Sequence, residues 1–237
     1  MRIEIWSDVV CPWCYIGKRR FEAALERFEH KDDIEIEWKA FELDGSADSA
    51  APGDADPDGY AQRLALKYEQ SVEQAQGMLD HMTTVAADEG LDFHFDRAVR
   101  ANTFQAHQVI HLAGANAVQD AVKERLMRAY FTEGEAVGDP DVLARLAAEA
   151  GLDAALVRKA LAEQSEAAAV RAEQAEAQQL GISGVPFFVI DRKYGVSGAQ
   201  PADQLVQVLQ QAWTEKHPLT MVGAQGDEAC GPDGCAI

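Results

Sequence analysis

The sequence predicts an α/β fold with strands at both ends of the chain and a helical middle. Three observations predict it. Arg2-Ile3-Glu4-Ile5-Trp6 and Ile34-Glu35-Ile36-Glu37-Trp38-Lys39-Ala40-Phe41 alternate as half-buried strands do, with a helical pattern between them. Residues 58–180 carry no convincing strand periodicity. Phe187-Phe188-Val189-Ile190 is a short continuous apolar run, as a central buried strand requires.

In chain order, residues 2–6 are the first strand. Residues 14–29 are a helix, because Phe21, Ala24, Leu25 and Phe28 recur at i, i+3, i+4 and i+7. It ends in His30-Lys31-Asp32-Asp33, and residues 34–41 are the second strand. Strand, crossover helix and strand make a βαβ unit with parallel strands. Residues 44–58, rich in Asp, Ala, Pro and Gly, are a loop. Helices are expected near 58–70, 71–89, 97–114, 116–132, 140–150 and 153–180, with breaks at Gly90, around Gly114, at Gly134 to Pro140 and at Gly151. The tract from Ala160 to Gln179, rich in Ala, Glu and Gln, suits a helix. Asp191-Arg192-Lys193 turns the last apolar strand into Tyr194-Gly195-Val196-Ser197, a hairpin. Residues 201–215 are a final amphipathic helix, stopped by His217-Pro218. This order is that of a thioredoxin-like fold with a large all-helical insertion. The thioredoxin-like domain is then discontinuous, 1–43 and 181–216, around an insertion domain of residues 44–180, with a tail of residues 217–237.

The chemistry concentrates at Cys11-Pro12-Trp13-Cys14, a Cys-x-x-Cys pair on the strand-to-helix turn. At a helix start, unpaired backbone N–H groups and the positive end of the helix dipole favour a thiolate, which lowers a thiol pKa below about 8.5. Pro12 fits the first helical position, where its missing N–H costs nothing. Cys14 is in phase with Phe21, Leu25 and Phe28 and is expected to face inward. Cys11 is then the exposed attacking thiol and Cys14 the shielded resolving thiol. Val185-Pro186 precedes the apolar strand. Beside a dithiol, a cis peptide there would present the Val185 backbone to an extended substrate.

Composition narrows the function. The net charge of −19 disfavours nucleic acid and anionic membrane as partners. The opening residues show no basic stretch followed by an apolar run, and no stretch has the length of a membrane span, so the expected location is the cytoplasm. There, cysteine pairs are more often catalytic or metal-binding than structural. A second pair, Cys230 and Cys235, frames a Pro232-Asp233-Gly234 turn that would hold the two sulfurs in bonding reach. It is either adventitious or a second redox pair on a flexible tail. The four cysteines together would alternatively make a zinc site of four thiolates. His107-Gln108-Val109-Ile110-His111 has the spacing of a helical metal site, but Gln108 replaces the glutamate of a metalloprotease, and no metal is expected. Asn102 and His107 are read either as polar groups packed at a domain boundary or as lining the cleft over the dithiol. With Trp13 and Val185 they are the candidate substrate contacts.

Ser7-Asp8-Val9-Val10-Cys11-Pro12-Trp13-Cys14-Tyr15-Ile16-Gly17, Asn102-Thr103 with Ala106-His107, Gly184-Val185-Pro186-Phe187-Phe188 and Val196-Ser197-Gly198-Ala199-Gln200 together resemble the FrnE-like branch of the DsbA-type thioredoxin-fold oxidoreductases. The resemblance spans about residues 1–215. It implies Cys11 as nucleophile, Cys14 as resolving thiol and Pro186 as the cis-proline. The expected activity is cytoplasmic reduction or isomerisation of protein disulfides. The redox-active disulfide is the only cofactor expected, and glutathione or a dithiol protein is the candidate reductant. Related 2-hydroxychromene-2-carboxylate isomerases and kappa-type glutathione transferases carry Ser at the first position, where this chain has Cys11. A glutathione-dependent isomerase or transferase is the enzymatic alternative, and a zinc-stabilised binding module the other.

Overall fold

The structure, a computed structural model, describes residues 1–217. A mixed sheet in the order β2-β1-β3-β4 forms its centre. β1 (Arg2–Ser7) lies parallel to β2 (Glu35–Ala40), and α1 (Pro12–Glu26) crosses between them. β3 (Phe187–Ile190) runs antiparallel to both β1 and β4 (Tyr194–Ser197). The β3–β4 turn puts Asp191 and Arg192 at positive φ, 46° and 57°, the conformation of a tight hairpin. α9 (Ala202–Lys216) then packs on the face that α1 covers.

The alternation of β1 buries both of its faces. Ile3 and Ile5 join Phe21, Phe188 and Leu209 in the main core, and Trp6 joins Ala177, Ile182 and Val189 on the opposite side. Even Glu4 is buried, paired with Arg192. The edge of β2 is closed by side chains from the helices. Gln119 Oε1 accepts from Trp38 N at 2.9 Å while its Nε2 donates to Trp38 O at 3.1 Å, and Glu173 Oε2 accepts from Ala40 N at 2.8 Å. Such caps prevent another strand from adding there.

Between β2 and β3 the described chain is helical: α2 (Gly59–Tyr68), α3 (Val72–Asp88), α4 (Phe104–Ala115), α5 (Gln119–Arg128), α6 (Pro140–Glu149), α7 (Ala154–Glu163) and α8 (Ala167–Gln179). Buried Lys18 of α1 joins Asp120 and Glu124 of α5 at 3.2 and 3.1 Å, tying the helical block to the sheet layer.

Three expectations are corrected. The single helix over 153–180 is two, because Gln164 takes a left-handed conformation, φ 52°, and caps α7. The turn lets α8 lay Val170 and Ala177 against the core, and Gln-Ser-Glu carries no breaker signal. The helix near 97–114 starts only at Phe104, because residues 98–103 bind the 44–58 loop: Ala50 N donates to Arg100 O and Asn102 N to Ser49 Oγ. The helix near 116–132 ends at Arg128 and continues as a π-helical turn, Ala129–Glu133.

Gly134 closes that turn at φ 72°, and a Cβ there would lie 2.8 Å from both Arg97 O and Arg97 Cβ. Gly134→Ala is therefore expected to cost about 1–3 kcal/mol in urea denaturation; an unchanged midpoint would contradict this packing.

Candidate dithiol active site

Ser7 ends β1 and Pro12 opens α1, so the residues between them make one turn. Cys11 N donates to Asp8 O at 3.3 Å, which fixes Cys11 as the N-cap residue, in extended conformation, with Pro12 next. No side chain caps this end of α1. Pro12 has no N–H and Cys14 N donates to Cys11 O at 3.0 Å, so the Trp13 N–H is the one left open at this positive helix end.

The chain's other end closes over this turn. The Val185–Pro186 peptide is cis, and Val185 O lies 3.7 Å from Cys11 Sγ, which donates to it. Gly17 lets α1 approach closely enough, since a Cβ on it would sit 2.9 Å from Pro186 Cγ and 3.4 Å from Ala199 Cβ. Cys14 is fully buried one turn below. Burial pushes its thiol pKa well up, and a hydrogen bond with Cys11 adds to the shift, so Cys14 holds its proton.

A buried charged cluster lies beside the thiols. Asp8 Oδ2 accepts from Leu43 N at 2.8 Å, while Oδ1 lies 3.4 Å from His107 Nε2, too poorly aligned to bond. Burial alone would raise the Asp8 pKa; His107, the Leu43 N–H and Lys123 outweigh it, and the carboxyl stays below its ordinary range. Lys123 of α5 is fully buried, with Nζ 3.4 Å from Ser7 O and 5.6 Å from the Trp38 ring centre. Burial pushes its pKa down to about 8, against the opposing pull of Cys14, Asp8, Cys11 and Glu173. In return, its ammonium eases the cost of a thiolate on Cys14.

A strand-to-helix dithiol, a facing cis-proline and a helical block inserted between β2 and β3 together define a family. Residues 2–210 match the model of the DSBA-like thioredoxin domain. The chain belongs to that family. It is similar to a probable DsbA oxidoreductase from Streptomyces coelicolor, with 46% identity, a TM-score of 0.84, and 100% of this chain and 99% of that chain covered. An uncharacterised Bacillus subtilis protein, YwbO, is 29% identical over 80% of this chain and 86% of its own length. The cytosolic disulfide reductase DsbM of Pseudomonas aeruginosa, solved with GSH, shares the fold at 19% identity and a TM-score of 0.62, over 89% of this chain and 98% of its own.

Within this DsbA-like frame, the structure brings Cys11, Cys14, Val185 and Pro186 together. Trp13, 37% exposed, stands at the surface between the two cysteines. Cys11 is not the exposed thiol expected: it is only 4% exposed, because its sulfur tucks under the Val185 carbonyl. His107 is 2% exposed and lies against Asp8, below the dithiol turn and not in an open cleft above it. Asn102 instead holds the 44–58 loop, donating to Gly45 O at 3.3 Å and accepting from Phe104 N at 3.0 Å. His107 and His111 take different partners, His111 bonding Glu166 at 2.7 Å. Among the described residues, no group of three or more His, Cys, Asp or Glu could hold a metal ion. Cys230 and Cys235, and the four-thiolate zinc site that needs them, lie outside the described residues.

Sequence reasoning missed Lys123 and Asp8 as a pair. Asp8 sits inside the quoted motif, but Lys123 reads as one more polar residue of an exposed helix. Its burial carries a pH signature. The folded Lys123 releases its proton near 8 and the unfolded one near the ordinary 10.5. Between these values the unfolded chain holds the extra proton, so raising the pH favours the folded state. In a Cys11→Ser/Cys14→Ser background, stability relative to the same protein with Lys123→Met is expected to rise by about 3 kcal/mol across that window. A flat difference would remove Lys123 from the buried cluster.

Proposed function

We propose that this protein is a thiol–disulfide oxidoreductase of the FrnE-like branch that reduces or isomerises protein disulfides in the cytoplasm. The observation that carries the reading is the pairing of the Cys11–Cys14 dithiol at an uncapped helix start with the Val185 carbonyl over Cys11. Cys11 and Cys14 are its reacting groups. Val185 and Pro186 form the docking edge, where an extended substrate backbone pairs by β-type hydrogen bonds. Trp13 offers its exposed ring beside them.

In the first step the Cys11 thiolate attacks one substrate sulfur. A Cys11–substrate disulfide forms, and the other substrate sulfur leaves as a thiolate that takes up a proton. In the second step Cys14 loses its proton and attacks Cys11 Sγ. The substrate departs as a dithiol, and Cys11–Cys14 is left oxidised. The Lys123 ammonium favours the Cys14 thiolate as it forms. Glutathione or a dithiol protein supplies two electrons and two protons to reset the pair. In isomerisation, a second substrate thiol attacks the mixed disulfide before Cys14 does. The second pair, Cys230 and Cys235, is proposed to exchange disulfides with the first. The glutathione-dependent isomerase alternative leaves Cys14 without a role.

Cys11→Ser is expected to bring insulin reduction down to the uncatalysed background, and activity well above background would sink the assignment. Cys14→Ser is expected to accumulate mixed disulfides in cells, visible as high-mass bands that collapse on adding reductant; their absence would remove Cys14 as the resolving thiol.

A further inference from the structure

A pocket of about 190 Å³ opens beside the dithiol turn, with Val10, the residue before Cys11, in its wall. Tyr60 of α2 and Tyr130 of the π-helical turn also line it, and both phenols are held neutral by burial. Three cations, Arg63, Lys67 and Arg100, line the same pocket.

That clustering runs against the character of the chain, whose net charge is −19. Most other basic side chains are paired, as Arg20 is with Glu89, Arg125 with Glu149 and Lys216 with Asp191. Among the described residues, Arg63, Lys67 and Arg100 have no carboxylate within 4.0 Å. Asp44 also lines the pocket, and Arg100 and Lys67 hold its pKa down together with Ser46, which bonds it first. Asp56 also flanks Arg63, the two converging on the point that a Cβ on Gly59 would take, so two carboxylates against three cations leave the pocket positive. The pocket is also small. Sites that enclose a whole small ligand measure about 300–1,000 Å³, so this one accommodates a side chain of a longer polypeptide.

Building on the oxidoreductase reading above, we propose that this pocket recognises a carboxylate side chain on the substrate polypeptide, close to the cysteine whose disulfide Cys11 attacks. Protein disulfides flanked by Asp or Glu are then the preferred substrates. Val185 takes the substrate backbone, and the pocket beside Val10 reads the charge.

The test uses the full-length protein and two disulfide-bonded peptides, identical except for Asp or Asn at the residues flanking the cysteines, with glutathione disulfide as a third substrate. The wild type is expected to show kcat/KM about five- to tenfold higher for the Asp peptide, the scale of two or three partly exposed charge contacts. That ratio is expected to fall towards one in Arg63→Gln/Lys67→Gln/Arg100→Gln. It is also expected to fall for the wild type between about 0.01 M and 1 M salt, as the screening length shrinks from about 30 to about 3 Å. The salt series needs no variant to fold. Equal wild-type rates for the two peptides would overturn the proposal and leave the oxidoreductase reading standing. A wild type that reduces neither peptide would overturn both. Equal peptide rates, combined with turnover of glutathione disulfide that the triple variant loses, would reassign the pocket to a small disulfide.

Discussion

Everything at the dithiol depends on the antiparallel pairing of β1 with β3. Trp6 lies opposite Phe187 and Ile5 opposite Phe188, so the end of β1 that leads to Cys11 meets the start of β3 that follows Pro186. Two segments 174 residues apart are thereby brought to the 3.7 Å contact between Cys11 Sγ and Val185 O. That contact forms only because α1 can lie close against the segment before β3. Gly17 makes room for Pro186, and the Phe21 ring packs 5.3 Å from the Phe188 ring. A larger residue at 17 would separate the thiols from the docking edge while leaving the sheet intact.

The helical block does more than fill the gap between β2 and β3. It supplies Lys123 and His107 to the underside of the dithiol turn, and Tyr60 and Tyr130 to its flank. Placing Asp8 and Lys123 out of water is costly, because each isolated charge loses its hydration. Mutual proximity offsets part of this, and the opposed pKa shifts of Asp8 and Lys123 record the balance. Asp8 remains below its ordinary range because partners outweigh burial, whereas Lys123 falls to about 8 because burial outweighs partners. Burial dominates the ionisation of Cys14, and the positive charge left beside it lowers that cost once Cys11 is engaged. Helices and sheet are therefore coupled through the chemistry as well as through packing.

Local periodicity was enough to read the strands, the Cys-x-x-Cys turn, the hairpin and the last helix, because each is specified by residues adjacent in sequence. Pro186 was legible through its place before an apolar strand. What local patterns do not encode is which polar residue the fold will bury. Lys123 sits in Gln119–Arg128 among Glu124, Arg125 and Arg128 and reads as one of a solvated set; only packing α5 onto Trp38 singles it out. The burial of Cys11 is hidden from local patterns for the same reason, since the carbonyl that covers it arrives from residue 185. Asn102 reads either as a boundary residue or as a cleft residue, and its amide is spent on the loop around Gly45. The turn at Gln164 was invisible because helix formers can take a left-handed cap when the core behind them asks for it.

A chain this acidic would be expected to repel an acidic substrate, and the distances decide otherwise. At physiological ionic strength charges are screened over about 8 Å, so carboxylates spread across the surface act weakly on a segment seated at the dithiol. Arg63, Lys67 and Arg100 line the pocket that has Val10, the residue before Cys11, in its wall. Once the substrate disulfide reaches Cys11, the charge it feels is therefore set by the pocket rather than by the net −19 of the chain. Approach and docking then oppose each other: long-range repulsion slows the encounter of acidic proteins, and short-range attraction holds those that arrive with a carboxylate in register with their disulfide. Added salt weakens both, but the long-range part first, because screening grows with distance. Acid-flanked substrates accordingly lose their advantage as the screening length becomes as short as the pocket itself.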